Sequence, residues 1–268
     1  MLVKKYNSAT VAHLEQGIFF KEVFQSFPEI FRNPLSRVID FGSLDINGGP
    51  HLDIQASYIG VDIGPGPNVD LVCPAQEVSF PSQSFDGAIS SECLEHNPFW
   101  RETIFQMARL TRSGGLVVWS CAGIGRAIHG VSSSPDKGIS APFVASSSDY
   151  YRNVDARSAK MALNYRGWFD DWVFLENLSA HDTYFVGIRC KASSEDLEVF
   201  RSLKLGLIEV YGKVESWRFR RILYRLNLRV IVEKYFDFVR FIKVVFTADQ
   251  KIWRIKRKLR NWFNLTSK

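Results

Sequence analysis

Two apolar runs of the same shape lie near the front of the chain and limit what it can fold into. Val38-Ile39-Asp40-Phe41-Gly42-Ser43 ends in an acid and a glycine, and Tyr58-Ile59-Gly60-Val61-Asp62 places Asp62 twenty positions after Gly42. Runs of this length, stopped by glycine or an acid, read as buried parallel strands whose carboxyl ends face a ligand crevice. An acid ending the second strand can accept hydrogen bonds from ribose hydroxyls, and a glycine after the first lets backbone come close to a ligand. The implied ligand is a nucleoside.

What is missing narrows it. A dinucleotide fingerprint needs G-x-G-x-x-G, so that backbone amides cradle a pyrophosphate. Here the stretch reads Gly42-Ser43-Leu44-Asp45-Ile46-Asn47-Gly48-Gly49, with Leu44 in place of the second glycine, and there is no G-x-x-x-x-G-K-[ST]. A nucleoside carrying a small zwitterion fits better than one carrying phosphates.

The series Asp40-Phe41-Gly42-Ser43, Gly60-Val61-Asp62, Ser84-Phe85-Asp86-Gly87-Ala88-Ile89-Ser90, Leu94-Glu95-His96 and Arg112-Ser113-Gly114-Gly115-Leu116-Val117-Val118 resembles class I S-adenosylmethionine-dependent methyltransferases. It is most similar to the broad small-molecule group called methyltransferase type 11. The resemblance runs from about Arg37 to Arg189 and is firmest between Val38 and Ser120. It implies S-adenosylmethionine as cofactor. Gly42 and Ser43 would flank its methionine part, Asp40 would fix that loop or the amino group, and Asp62 would bind the ribose diol. The acid usual after the third strand is absent at Pro74-Ala75. Adenine is then left to Ala75 and to Gln76 or Glu77. Ser91-Glu92 fall where the family places residues near the transferred methyl.

The coarse element reading agrees. A helix is predicted over 12–31, a short helix with Pro50 in its first turn between the first two strands, a third strand at Asp70–Cys73, a fourth at Phe85–Ser90, a helix at Phe99–Leu110 closed by Arg112–Gly115, and a fifth strand at Leu116–Cys121. Trp172–Leu175 and Thr183–Ile188 read as the antiparallel end of the sheet. Strands alternating with helices give an α/β, doubly wound, Rossmann-like sheet.

Methyl transfer is an in-line displacement that needs positioning and, for a hydroxyl acceptor, a base. His96, after the fourth strand, and His129, in the glycine-rich loop Gly123–Gly130, are the base candidates, with Glu92 as an acidic alternative. The serine-rich stretch 131–148 reads as a lid, and Tyr150-Tyr151-Arg152-Asn153 either lines an acceptor pocket or packs as helix. Cys73, Cys93, Cys121 and Cys190 lack any C-x-x-C or histidine spacing and read as small buried hydrophobes, so no metal site is expected.

Charge divides the chain. Residues 1–194 hold 16 Lys and Arg against 20 Asp and Glu, whereas residues 195–268 hold 18 against 8. The expectation is a methyltransferase domain over 1–194 and a basic helical extension over 195–268. In that extension Trp217–Arg225 and Phe236–Phe246 interleave aromatic and basic residues. Packing against the domain, contact with an anionic membrane surface, and nucleic-acid binding compete there, the last without any accompanying motif. The front of the chain shows no apolar signal core, and no run could span a bilayer, so a cytoplasmic location, with peripheral contact at the inner membrane face, is expected. The acceptor is read as a small molecule or a glycan, conceivably lipid-linked. The alternatives are a non-catalytic scaffold that keeps the fold and a nucleic-acid methyltransferase.

Overall fold

The computed structural model describes residues 14–46, 48–132, 150–177 and 180–211. The chain separates into two compact units, 1–214 and 215–268. Most of the lid stretch, and the aromatic and basic runs beyond residue 211, lie outside the described residues.

Seven strands form one sheet: β1 Arg37–Phe41, β2 Ser57–Asp62, β3 Leu71–Val72, β4 Phe85–Ser91, β5 Thr111–Ala122, β6 Phe169–Asn177 and β7 Asp182–Arg189. Their spatial order is β3-β2-β1-β4-β5-β7-β6. The first five run parallel, and β7 enters antiparallel between β5 and β6. Val38, Ile39 and Phe41 on β1, and Ala88 and Ile89 on β4, are fully buried. Such strands must be apolar along their whole length, because both faces of a parallel sheet are covered.

One face is covered by α1 Leu14–Ser26, α2 Pro28–Phe31 and α6 Ser194–Tyr211. The predicted helix over 12–31 is interrupted. Pro28 pushes Phe27 out of the helical region (φ −127°, ψ 63°) and restarts a short helix as its first residue. Phe19, Phe20, Phe24, Phe27 and Phe31 are all essentially inaccessible. At about 1.5–3 kcal/mol for each buried side chain of this size, they anchor that layer. On α6, Phe200, Leu203 and Leu207 bury at helical spacing in the same cluster, and Lys204 reaches Asp171 at 2.6 Å. The helix begins where the charge balance changes, at residue 194, and lies within the first compact unit.

The opposite face carries α3 Trp100–Leu110, with α4 Ala156–Lys160 and α5 Tyr165–Trp168 near β6. Between β1 and β2 the predicted short helix is a single 3-10 turn, Pro50–Asp53, with proline at its start as expected. The closing sequence Arg112–Gly115 enters β5 directly, with a register break opposite Phe85–Gly87 and Gly114 at φ +71°. Among the described residues no helix is long and apolar enough to cross a membrane.

The register aligns the strand ends. Phe41 pairs with Val61 and Ser90, and Ser91 pairs with Ser120. The residues that follow β1, β2, β4 and β5 therefore emerge along one edge.

Candidate functional site

The half of that edge formed by β1 and β2 is built around a turn and two acids. After Phe41 the chain turns at Gly42, at φ +80°, where an L side chain is disfavoured. Gly42 and Ser43 donate their N–H groups to the carbonyl of Val61 at 2.8 and 3.1 Å. A Cβ on Gly42 would lie 2.3 Å from the Cβ of Cys93. The glycine therefore serves the close approach of the loop after β4. Asp62, at the end of β2, accepts from Leu44 N–H at 3.2 Å and Gly64 N–H at 3.3 Å. Burial raises its carboxyl above the ordinary range, and the backbone donors at Leu44, Gly64 and Ile63 oppose that rise. Two long backbone bonds leave lone pairs free on both oxygens for further donors.

Asp40 sits deeper. Its Oδ2 accepts from the Tyr58 hydroxyl at 2.6 Å, that hydroxyl accepts from Asn68 Nδ2 at 2.7 Å, and Asn68 Nδ2 also donates to the carbonyl of Ser43 at 3.0 Å. Asp40 thus reaches the Ser43 loop through two intermediaries. Burial, opposed by the Tyr58 bond and assisted by Asp62, pushes its carboxyl up to about 7. Asp40 Oδ1 and Ser43 Oγ are buried without a partner. Ala75 is buried in a 3-10 turn, Ala75–Glu77, after β3, and Gln76 gives its carbonyl to Gln106 Nε2 at 2.8 Å.

The other half, at the ends of β4 and β5, collects buried ionisable groups. Glu92 adopts a left-handed backbone (φ 51°), which costs a residue other than glycine about 1–3 kcal/mol and is held here by its surroundings. Its Oε1 accepts from Gln16 Nε2 at 3.0 Å and from the Ser120 hydroxyl at 3.2 Å. Gln16 also donates to Ser91 Oγ at 3.0 Å and Ser120 Oγ at 2.6 Å, so α1 closes over this end of the sheet. Glu95 is fully buried, with Oε1 accepting from Ala122 N–H at 3.1 Å and Oε2 unpartnered. Burial raises both glutamates above the ordinary carboxylate range. Arg126 opposes this at Glu92, while at Glu95 the neighbouring Glu92 adds to it.

His96 and His129, separate in the sequence, stand side by side with ring centroids 5.1 Å apart, and Tyr151 packs edge-on against both at 5.4 and 4.9 Å. Burial, with His129 beside it, lowers His96 to about 4, so its imidazole is neutral near pH 7. The Tyr151 hydroxyl donates to the carbonyl of Ala127, and His129 Nδ1 faces that same carbonyl, each at 3.1 Å. Tyr151 therefore lines the site, and residues 150–155 form no helix. Arg126 bridges to Asp182 at 3.3 Å. Burial and the nearby Glu92 push the Asp182 carboxyl up to about 8.

Asp40, Gly42, Ser43, Asp62, Ala75, Gln76, Ser91, Glu92, His96 and His129, the residues the sequence reading proposed for the site, lie at or just after the ends of β1 to β5; Gln16, Ser120, Arg126 and Asp182, which join them there, were not among its candidates. Gln16 precedes a phenylalanine-rich stretch, and no local pattern in the sequence marks it. His51 pairs with Asp45 at 3.3 Å, away from the two-histidine group. The four cysteines are free thiols.

Residues 50–119 match the family model described as methyltransferase domain. The matched stretch includes β2, β3, β4 and α3. No curated protein sequence matches. Among solved structures, 1,6-didemethyltoxoflavin-N1-methyltransferase of Burkholderia thailandensis, with 1,6-didemethyltoxoflavin and S-adenosylhomocysteine bound, aligns over 66% of this chain and 80% of its own at 16% identity, TM-score 0.45. Phosphoethanolamine N-methyltransferase 2 of Haemonchus contortus, solved with phosphomonomethylethanolamine and S-adenosylhomocysteine, aligns over 68% of this chain and 54% of its own at 16% identity, TM-score 0.45. The YcgJ protein of Bacillus subtilis aligns over 65% of this chain and 99% of its own at 12% identity, TM-score 0.43.

Proposed function

We propose that the chain is an S-adenosylmethionine-dependent methyltransferase, with the cofactor at the ends of β1, β2 and β3 and a small-molecule acceptor at the ends of β4 and β5. The observation that carries this is the pairing of the Gly42–Leu44 turn with the Asp62 carboxylate across the carboxyl edge of a parallel sheet. The residues present fit the cofactor. Ser43 Oγ and Asp40 Oδ1 are buried and unpartnered beside the turn, and Asp62 retains acceptor capacity for a diol. Asp62 would take the ribose hydroxyls, Gly42 and Ser43 would border the methionine part, and Ala75 with Gln76 would meet adenine through apolar and backbone contacts.

Bound there, S-adenosylmethionine supplies an electrophilic methyl group on a sulfonium. The chain's own contribution is to position the acceptor and to receive its proton. His129 is the favoured base: Nδ1 faces the Ala127 carbonyl, and an N–H donated there leaves Nε2 with its lone pair. His96, neutral near pH 7, and Glu92, whose carboxyl is raised by burial, are the alternatives. Ser91 and Glu92 are held in place by Gln16.

Calorimetric titration with S-adenosylhomocysteine tests the cofactor half. Asp62→Ala should lose about 1.5–3 kcal/mol of affinity, the cost of hydrogen bonds to a charged acceptor. Unchanged affinity in a folded variant removes Asp62 from the site.

A glycan or lipid-linked acceptor remains part of the proposal, supported by the charge of residues 195–268. Their 18 basic residues against 8 acidic ones favour an anionic membrane surface, at about 1 kcal/mol for each basic residue that reaches it. The full chain should sediment with vesicles containing phosphatidylserine and not with neutral ones, and salt should release it. Equal sedimentation with both removes the electrostatic reading.

A further inference from the structure

We propose that Glu95, His96 and His129 form a binding site for a divalent transition-metal ion, with Glu92 beside it. The three side chains offer one carboxylate oxygen and two imidazole nitrogens, all within 4.8 Å of one another. Donors on one tetrahedral zinc-sized ion, at about 2.0–2.2 Å each, lie about 3.3–3.6 Å apart. Side-chain movement of up to about 0.8 Å per group closes the set.

Details of the surroundings point to a cation. First, Glu95 is fully buried with Oε1 fixed by Ala122 N–H, no nitrogen donor meets Oε2, and its nearest ionisable neighbour is the second carboxyl of Glu92. An unpaired carboxylate oxygen in a dry site is costly unless a proton or a cation meets it. Second, the nearby guanidinium does not meet it: Arg126 is held by Asp182 and by the carbonyl of Ala180 at 2.7 Å. Third, the second contact of His129 is that of a metal ligand. His129 Nδ1 faces a backbone carbonyl, which orients Nε2 as the donor, and Glu95 is fixed through its other oxygen. Histidines that ligate metals commonly donate their second N–H to a carbonyl or carboxylate in this way.

The strained backbone of Glu92 (φ 51°) and the helix α1 residue Gln16 hold a second carboxylate next to the set. Two imidazoles and one or two carboxylates suit Zn²⁺, Fe²⁺, Co²⁺ or Mn²⁺ over Mg²⁺, which prefers oxygen ligands alone. Three protein donors leave positions for water or an acceptor group. An ion bound at His129 Nε2 occupies the lone pair that base catalysis by His129 would use, so in the metal-bound chain Glu92 is the remaining base; metal binding itself is measured directly and does not depend on the methyl-transfer reading.

The test is calorimetric titration of the full chain, freed of metal by chelator and dialysis, with Zn²⁺ alone and with Mg²⁺ alone, together with the visible spectrum after Co²⁺ addition. One equivalent of Zn²⁺ should bind, and Mg²⁺ should not compete at equal concentration. His129→Ala should lower Zn²⁺ affinity by more than 100-fold, above the roughly 10–100-fold typical when a supporting group outside the ligand set is lost. His96→Gln, with a side chain of similar length, gives the same readout if alanine at 129 unfolds the loop, and thermal melting checks the fold of each. Absence of binding in the folded wild type overturns the proposal, as does Zn²⁺ binding that neither substitution weakens. S-adenosylhomocysteine titrated with and without chelator keeps the outcomes apart: cofactor binding without metal binding defeats only the ion site, and metal binding without cofactor binding defeats only the methyltransferase reading.

Discussion

The ends of β1 and β2 and the ends of β4 and β5 are two halves of one sheet edge, built in opposite ways. In the first half the candidate groups are close in sequence and main chain takes part in most of the bonds that hold them: Gly42 and Ser43 N–H on the Val61 carbonyl, Leu44 and Gly64 N–H on Asp62, the Asn68 side chain on the Ser43 carbonyl, with Asp40 alone held by a side chain, that of Tyr58. In the second half the groups come from α1, the loop after β4, the loop after β5, residue 151 and the start of β7, and side chains hold one another: Gln16 on Glu92, Tyr151 on both histidines, Arg126 on Asp182. A main-chain cradle is fixed once strand register is fixed. A side-chain cluster of like charges depends on how many protons or cations it holds.

The strongest challenge to that contrast is catalytic. If His129 receives the acceptor's proton, His129→Ala should lose about 100-fold or more in turnover at unchanged S-adenosylhomocysteine affinity, and His96→Ala should fall less. Equal turnover in both variants refutes base catalysis by histidine and directs attention to Glu92. A loss of cofactor affinity in His129→Ala would show that the two halves are not separable. The Asp62→Ala loss of about 1.5–3 kcal/mol in cofactor affinity is next in size, and it should appear with turnover at saturating cofactor largely kept.

The remaining effect concerns pH. The Asp40 carboxyl, ordinarily near 3.8, is pushed up to about 7 by burial. Between those values the folded chain keeps a proton that the unfolded chain has released, so this group's contribution to stability falls as pH rises from about 4 to about 7. The slope reaches at most about 1.4 kcal/mol per pH unit. His96, lowered to about 4, contributes in the opposite sense, gaining stability as pH rises from about 4 to 6.5. Comparing urea unfolding of the wild type with Asp40→Asn at several pH values cancels that second contribution. The wild type should lose stability relative to Asp40→Asn across the window, and a flat difference would show that Asp40 stays ionised when buried.

The sequence by itself determined the sheet and the strand ends proposed here for the cofactor. Apolar runs ended by glycine or an acid are local signals, and β1, β2, β4, β5, β6 and β7 contain the segments they mark. Period and punctuation located Asp40, Gly42, Ser43 and Asp62, because a strand end is a property of a few adjacent residues. What Gly42 is for was decided elsewhere: Cys93, fifty-one positions later, occupies the space a Cβ would need. Tertiary structure alone brought Glu95 and His96 against His129 and Tyr151, laid Gln16 over Glu92 and Ser120, and split the first helix at Pro28. Nothing in the spacing of residues 16, 95, 129, 151 and 182 marks them as neighbours. Their meeting follows from the parallel crossovers and the antiparallel return of β7, which set segments far apart in the chain along one edge, and no periodicity in a single segment encodes such contacts.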